Sequence, residues 1–254
     1  MNFDFHTHGK LSKKVEFSLD YFRNMVKSAQ ENGLSGFALT EHFNTRNFFD
    51  VYNTLDEVYP YIQNYYLVDN VRIFPGMEVD IQEVGHILIV ADRAIIREIR
   101  TKLEPYIAKD SFIKFAQLLE LVAQYELLII GAHPYRKSTP LYHLDPTLLN
   151  KLDAFDLNGK DLYSMGIEEN SHLVYQFAKT YNKPVIGGSD THHLLQYGCI
   201  YNELEQDCHT ITDLKKIILD GRYTIRISNN LPEKVLNATE QKAIEKKMME
   251  SATI

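Results

Sequence analysis

Met1-Asn2-Phe3-Asp4-Phe5-His6-Thr7-His8 opens the chain. The apolar run reads as a short strand with two histidines at its C-terminal end. Residues i and i+2 of a strand point to one face, so His6 and His8 project together. Two imidazoles placed this way can grip one metal ion. A pair of surface histidines is the plain alternative, and repetition weighs against it. Four further clusters each follow an apolar run: Thr40-Glu41-His42, Gly76-Met77-Glu78-Val79-Asp80, Gly131-Ala132-His133-Pro134 and Ser189-Asp190-Thr191-His192-His193.

Apolar runs at 36–40, 71–74, 86–91, 127–131, 152–157, 183–188 and 223–227 read as strands, with Pro75-Gly76 interrupting the second. Helical patterns fall at 19–31, near 51–65, and at 94–108, 111–125, 168–181 and 211–220. Alternation of the two implies a mostly parallel sheet. The expected fold is α/β: a distorted seven-stranded (β/α)7 TIM-like barrel, closed by the strand at 223–227, with its active site at the C-terminal ends of the strands. A doubly wound open sheet would place a ligand at one switch point. It leaves unexplained why nearly every strand ends in a ligand-type residue. Residues 1–231 are assigned to the barrel and 232–254 to a C-terminal helical extension of the same domain. That tail either docks on the barrel or mediates assembly into a homo-oligomer.

The 254 residues are 44% hydrophobic, with no Trp but 16 Tyr and 13 Phe. The formal charge of −7 argues against a long nucleic acid or an anionic membrane as partner. A small phosphorylated substrate stays compatible, because divalent metals invert the local field. Cys199 and Cys208 read as free thiols of a reducing cytoplasm. No signal peptide and no membrane-length apolar run is seen, so a soluble, cytoplasmic protein is expected.

His6, His8, His42, Glu78, His86, His133, Asp190 and His192 exceed the needs of one tetrahedral ion. Imidazoles mixed with carboxylates, and no thiolate, suit Zn, Mn or Fe. A carboxylate such as Glu78 can bridge two ions, and a pair of ions can hold both oxygens of a hydrolytic displacement and make hydroxide available near pH 7. His86 heads an apolar run, so a core histidine rivals a ligand there. Asp80 reads as a support and His193 as facing away from His192. His143, His172 and His209 read as surface residues.

The series Asp4-Phe-His6-Thr-His8, Leu39-Thr-Glu41-His42, Gly76-Met-Glu78, Gly85-His86-Ile-Leu, Gly131-Ala-His133-Pro134 and Gly188-Ser-Asp190-Thr-His192 resembles the motif series of the polymerase and histidinol phosphatase (PHP) superfamily. The resemblance implies the seven-stranded barrel and a phosphoesterase site with two or three divalent metal ions. His6, His8, Glu78 and Asp190 would hold the first; Glu78, His133 and His86 the second; His42 and His192 a third. The pattern is departed from in two ways. Glu41 stands for the usual Asp, and Lys13 and Lys14 stand where a third-site ligand is expected. The expected activity is hydrolysis of a small-metabolite phosphomonoester, histidinol-phosphatase-like. His192, Arg136 and Lys13 are the candidates to act on substrate. A guanidinium matches phosphate bidentately, and Lys13 or Lys14 could replace a third metal with an ammonium. The alternatives are a nuclease or nucleotide phosphodiesterase, and a metal-binding regulatory module without turnover.

Overall fold

A computed structural model describes residues 1–251; the last three residues of the expected tail lie outside the described residues. In chain order the first half comprises β1 (Asn2–Thr7), α1 (Leu19–Glu31), β2 (Gly36–Leu39), α2 (Phe48–Val58), β3 (Tyr61–Ile62), β4 (Tyr65–Val68), β5 (Val71–Ile81), β6 (Gly85–Ala91), α3 (Arg93–Lys102) and α4 (Phe115–Val122). The second half comprises β7 (Leu127–Gly131), α5 (Pro146–Leu149), β8 (Ala154–Asn158), α6 (Gly159–Met165), α7 (Ile167–Thr180), β9 (Val185–Gly188), β10 (Ile200–Leu204), α8 (Ile211–Leu219), β11 (Tyr223–Ile227) and α9 (Leu231–Ser251).

Seven strands, in the order β1-β2-β5-β6-β7-β8-β9, curl into the expected barrel. Strand β6 alone runs against both of its neighbours. Its N-terminal end therefore lies beside the C-terminal ends of the others, which brings His86, at its start, to the same rim. Between β1 and β9 the ring closes just beyond the strand ends. There Asp190 N donates to His6 O at 2.7 Å and His8 N donates to Thr191 O at 3.0 Å. Further down, the Asn202 amide stands in for a backbone ladder. It donates to Phe3 O at 3.0 Å and to Gly187 O at 2.7 Å, and accepts from Gly187 N at 2.8 Å.

Asn202 belongs to β10, which the sequence patterns did not disclose. Residues 223–227 do not make the barrel closure expected above; they pair antiparallel with β10, across the α8 connection, outside β1. Strand β5 runs unbroken through Pro75-Gly76 because its pairing changes hands there. Pro75, which has no N–H, is the last residue opposite β2, and Gly76 is paired with β6. The expected helix at 51–65 stops at Val58, before Pro60, and the β3–β4 hairpin takes the rest. The patterns at 94–108 and 111–125 yield shorter helices joined by 3-10 turns.

Phe3, Phe5, Phe74, Leu88 and Ile130 fill the barrel interior together with Leu214 and Ile217 of α8. A second apolar layer lies between the strands and the surrounding helices. The interior changes from apolar to polar at one end of the barrel, where the candidate site lies.

Candidate metal centre

Strand β1 carries an irregularity that aims its histidines. Between Asp4 and Thr7, three steps of β1 span two of β2, which is a β-bulge. A bulge shifts the side-chain alternation by one residue. Phe3 and Phe5 face the interior below it, and His6 and His8 face the interior above it. On β5 and β6 plain alternation suffices. Glu78 and Asp80 follow Phe74 on the inner face, and His86 precedes Leu88 opposite them. His133 (φ 33°) and Asp190 (φ 56°) sit just past their strands in left-handed backbone. Such strain persists only where the surroundings hold it; Asp190 is held by its backbone bond to His6.

All eight expected ligand residues converge here. His6, His8 and Asp190 form one group, Glu78, His86 and His133 a second, and His8, His42 and His192 a third. Within each group the donor atoms lie within 4.8 Å of one another. Glu78 joins the groups. Its Oε1 lies 2.5 Å from His86 Nδ1, 3.3 Å from His133 Nε2 and 3.6 Å from His6 Nε2. Its Oε2 lies 2.8 Å from His42 Nδ1 and 3.5 Å from His8 Nε2. The third group thus has three imidazoles where two were expected, because His8 serves two groups.

Burial makes the arrangement unfavourable without a cation. His6, His8, Glu78, His133 and Asp190 are at most 2% exposed. His6 Nε2 and both His8 nitrogens are buried without a hydrogen-bond partner. A buried polar atom left unpaired costs about 1–3 kcal/mol, and divalent ions would satisfy these. The residues therefore fit the metals that the resemblance implies. Burial opposes charge on Glu78, yet His86, His42 and His6 outweigh it and hold Glu78 well below the usual carboxylate range. Burial, aided by Arg136, pushes His133 well below its ordinary value. Burial, with His8 and Lys160, does the same for His192. Neutral imidazole is the form that ligates a metal.

Several supports were not foreseen. Asp156 Oδ2 lies 2.9 Å from His6 Nδ1, which leaves Nε2 to face the pocket. Asp80, read from sequence as a support, does the same for His86, with Oδ1 3.0 Å from Nε2. Glu41 accepts from the backbone of Gly9, Lys10 and His42 and so fixes the loops around His8. Arg136 is gripped by Asp161 and Asn158, each at 2.9 Å, and sets Nη1 2.8 Å from Asp190 Oδ2. Lys160, at the start of α6, places Nζ 2.9 Å from Asp190 Oδ1 and 3.2 Å from His192 Nδ1. Asp156 and Asn158 continue the inward alternation of Ala154 on β8, a pattern visible in the sequence. Lys160 had no such signal.

The expected ammonium from Lys13 or Lys14 is not at the third group. Lys13 Nζ pairs with Asp80 Oδ2 at 2.9 Å, half-buried on the His86 rim, and Lys14 is exposed. His193 turns away, as expected, to Glu245 Oε1 at 3.2 Å. His143 and His172 are exposed and His209 lies beside Tyr65. No helix among the described residues is long and apolar enough to cross a membrane.

The chain superposes on PsfC from Pseudomonas syringae PB-5123 with a TM-score of 0.79 at 20% identity, over 95% of this chain and 97% of that one. It superposes on the lesion-specific endonuclease PfuEndoQ from Pyrococcus furiosus with a TM-score of 0.64 at 20% identity, over 88% of this chain and 57% of that one. Endonuclease Q in complex with a 27-mer duplex bearing an abasic lesion gives 0.62 at 19% identity, over 89% and 58%. At these identities the likeness speaks for the fold alone. Compared by sequence with curated proteins, the chain finds no match. The PHP domain model matches residues 4–223, a span that contains every residue of the three ligand groups; the chain belongs to the PHP domain family.

Proposed function

We propose that the protein is a metal-dependent phosphoesterase acting on a small phosphomonoester. The observation that carries this reading is the union of three ligand groups, joined by Glu78, with two cationic side chains at one side. Bound Zn, Mn or Fe ions would supply Lewis acidity and a hydroxide near neutral pH. The chain's own residues bind, orient and exclude water. Arg136 and Lys160 converge on Asp190, positioned to meet the phosphate oxygens once ions take over the carboxylate. Guanidinium and ammonium donors suit that task. His192 stacks on His8 and lies 3.2 Å from Lys160 Nζ, so it joins the third ligand group to the cations. Beside His86, a cavity of about 290 Å³ is lined by Asp80, His86, Lys109, Phe112, Ser138 and Thr139. Small-ligand pockets begin near this size, about 300 Å³, and its mixed lining suits the organic part of a metabolite.

The deciding experiment loads the purified protein with Mn or Zn and assays an aryl phosphate, then a panel of phosphorylated metabolites that includes histidinol phosphate. Turnover of monoesters with little on bis-esters is expected. No turnover of any monoester by protein holding two ions would end this reading. A second reading, endonuclease-like action on damaged DNA, is favoured by the likeness to endonuclease Q. Cleavage of a duplex with an abasic site, at a rate above any monoester, would place it first.

A further inference from the structure

Helix α9 turns one face to the barrel. Leu231, Val235 and Ala238 are buried, and Lys242 and Glu245 continue the same stripe half-buried. Steps of four and three residues follow one side of a helix. Where the stripe is apolar it covers core. Where it turns charged it runs beside α6 and the turn that follows His193, whose ring meets Glu245 Oε1 at 3.2 Å. Lys242 lies one turn earlier on the same side. The charges bearing on it are those of Lys160, Asp190, Glu41 and Lys246, and it bears in turn on His192. Among the described residues no hydrogen bond or ion pair involves Lys242. Ammonium groups of two packed helices thus bear on Asp190 and His192, and only that of Lys160 is in contact with the carboxylate. Partial burial, with Lys160 adding to it, pushes Lys242 down to about 8. An arriving anion would relieve both costs.

We propose that Lys242 of α9 and Lys160 of α6 form a two-ammonium clamp that holds the substrate's phosphate oxygens at the mouth of the metal centre. The clamp rests on the phosphoesterase reading but is tested apart from it, with inorganic phosphate as the probe. Phosphate binding to the full-length, metal-loaded protein is measured by titration calorimetry, alongside its inhibition constant in the aryl phosphate assay. Lys242→Gln should raise both constants about tenfold or more, since a hydrogen bond to a charged group is lost. Lys242→Arg, which keeps the charge, should restore most of the affinity. Ile244→Ala, on the exposed side of the helix, should change neither, and metal content and melting temperature should match wild type throughout. Wild-type phosphate affinity in Lys242→Gln would overturn the clamp. So would loss of phosphate and metal together in both Lys242 variants, which would mark a structural role. Turnover by wild type with Lys242→Gln unaffected leaves the phosphatase reading standing alone. Lys242-dependent phosphate binding without turnover of any monoester leaves the clamp standing alone.

Discussion

Asp156 decides which nitrogen of His6 faces the pocket, although it touches no other member of the three ligand groups. Carboxylates behind ligating histidines are worth about 10–100-fold in metal affinity. Asp156→Asn should therefore lose metal on dialysis at concentrations where wild type keeps it, with an unchanged circular dichroism spectrum. Glu78→Gln and Asp190→Asn remove a charge from the centre itself. Each should lower kcat on a phosphomonoester at least about 100-fold, the upper end of the effect of a support. His172→Ala, on the exposed face of α7, should leave kcat unchanged; retained activity in both acid variants would put the chemistry elsewhere. Seven of the eight candidate ligands were legible because each stands near a strand end, where barrel geometry fixes its direction; Glu78 lies within β5, where alternation alone turns it inward. Of the partners of Arg136, Asn158 lies on the inward alternation of β8, but Asp161 was not legible, since it reaches Arg136 only through the folding of α6 against the barrel. Lys13 misled for the same reason. Its distance from His8 along the chain says nothing of Asp80, which reaches it from another strand.

Gly188 ends β9 beneath His6. A Cβ there would come within 2.5 Å of both Asp156 Oδ1 and His6 Cβ. Gly188→Ala must push apart a ligand and its support, so its cost should appear in the metal centre as well as in stability. Overpacking of this kind costs about 1–3 kcal/mol. The expected outcome is a lower melting temperature together with substoichiometric metal; full metal content would show that the strand end yields without moving His6. The parallel strands were readable as apolar runs between helices. The reversal of β6 was not, because a run such as His86-Ile-Leu-Ile-Val-Ala carries no direction. Proline also misled at β5. Pro75 looks like a break, but it occupies the one step where the strand changes partners and an N–H is not needed.

Across the whole molecule, the buried ligand cluster makes stability depend on metal. Binding to the folded state alone stabilises by about 4 kcal/mol when free metal is a thousandfold above Kd. For a chain of this size each kcal/mol shifts the melting temperature by about 2–4 °C. Chelator-stripped protein should melt roughly 8–16 °C below reconstituted protein, and elemental analysis of the latter should find at least two ions per chain. A shift under about 2 °C with full loading would mean that the apo cluster is already satisfied. The barrel and its rim were foreseeable from sequence, whereas the outer antiparallel pair of β10 and β11 was not. Its role depends on Asn202 meeting Gly187 and Phe3, a contact between segments far apart in the chain.

The junction of β1 and β9 also bears on the order of events in folding. Every other neighbour in the ring is joined by a backbone ladder, but here a side-chain amide and two bonds beyond the strand ends do that work. Ends drawn from such distant parts of a chain carry a high loop-closure cost, and contacts of this kind form late. Closing the ring is then the late step, and opening it the first to reverse. Amide hydrogen exchange should reveal this. In stripped protein His8, Gly187 and Asp190 should exchange earlier than the amides of β7 and β8. Added metal, held by His6 and His8 on one side and Asp190 on the other, should slow those three most, as a clasp fastened across the last gap to close.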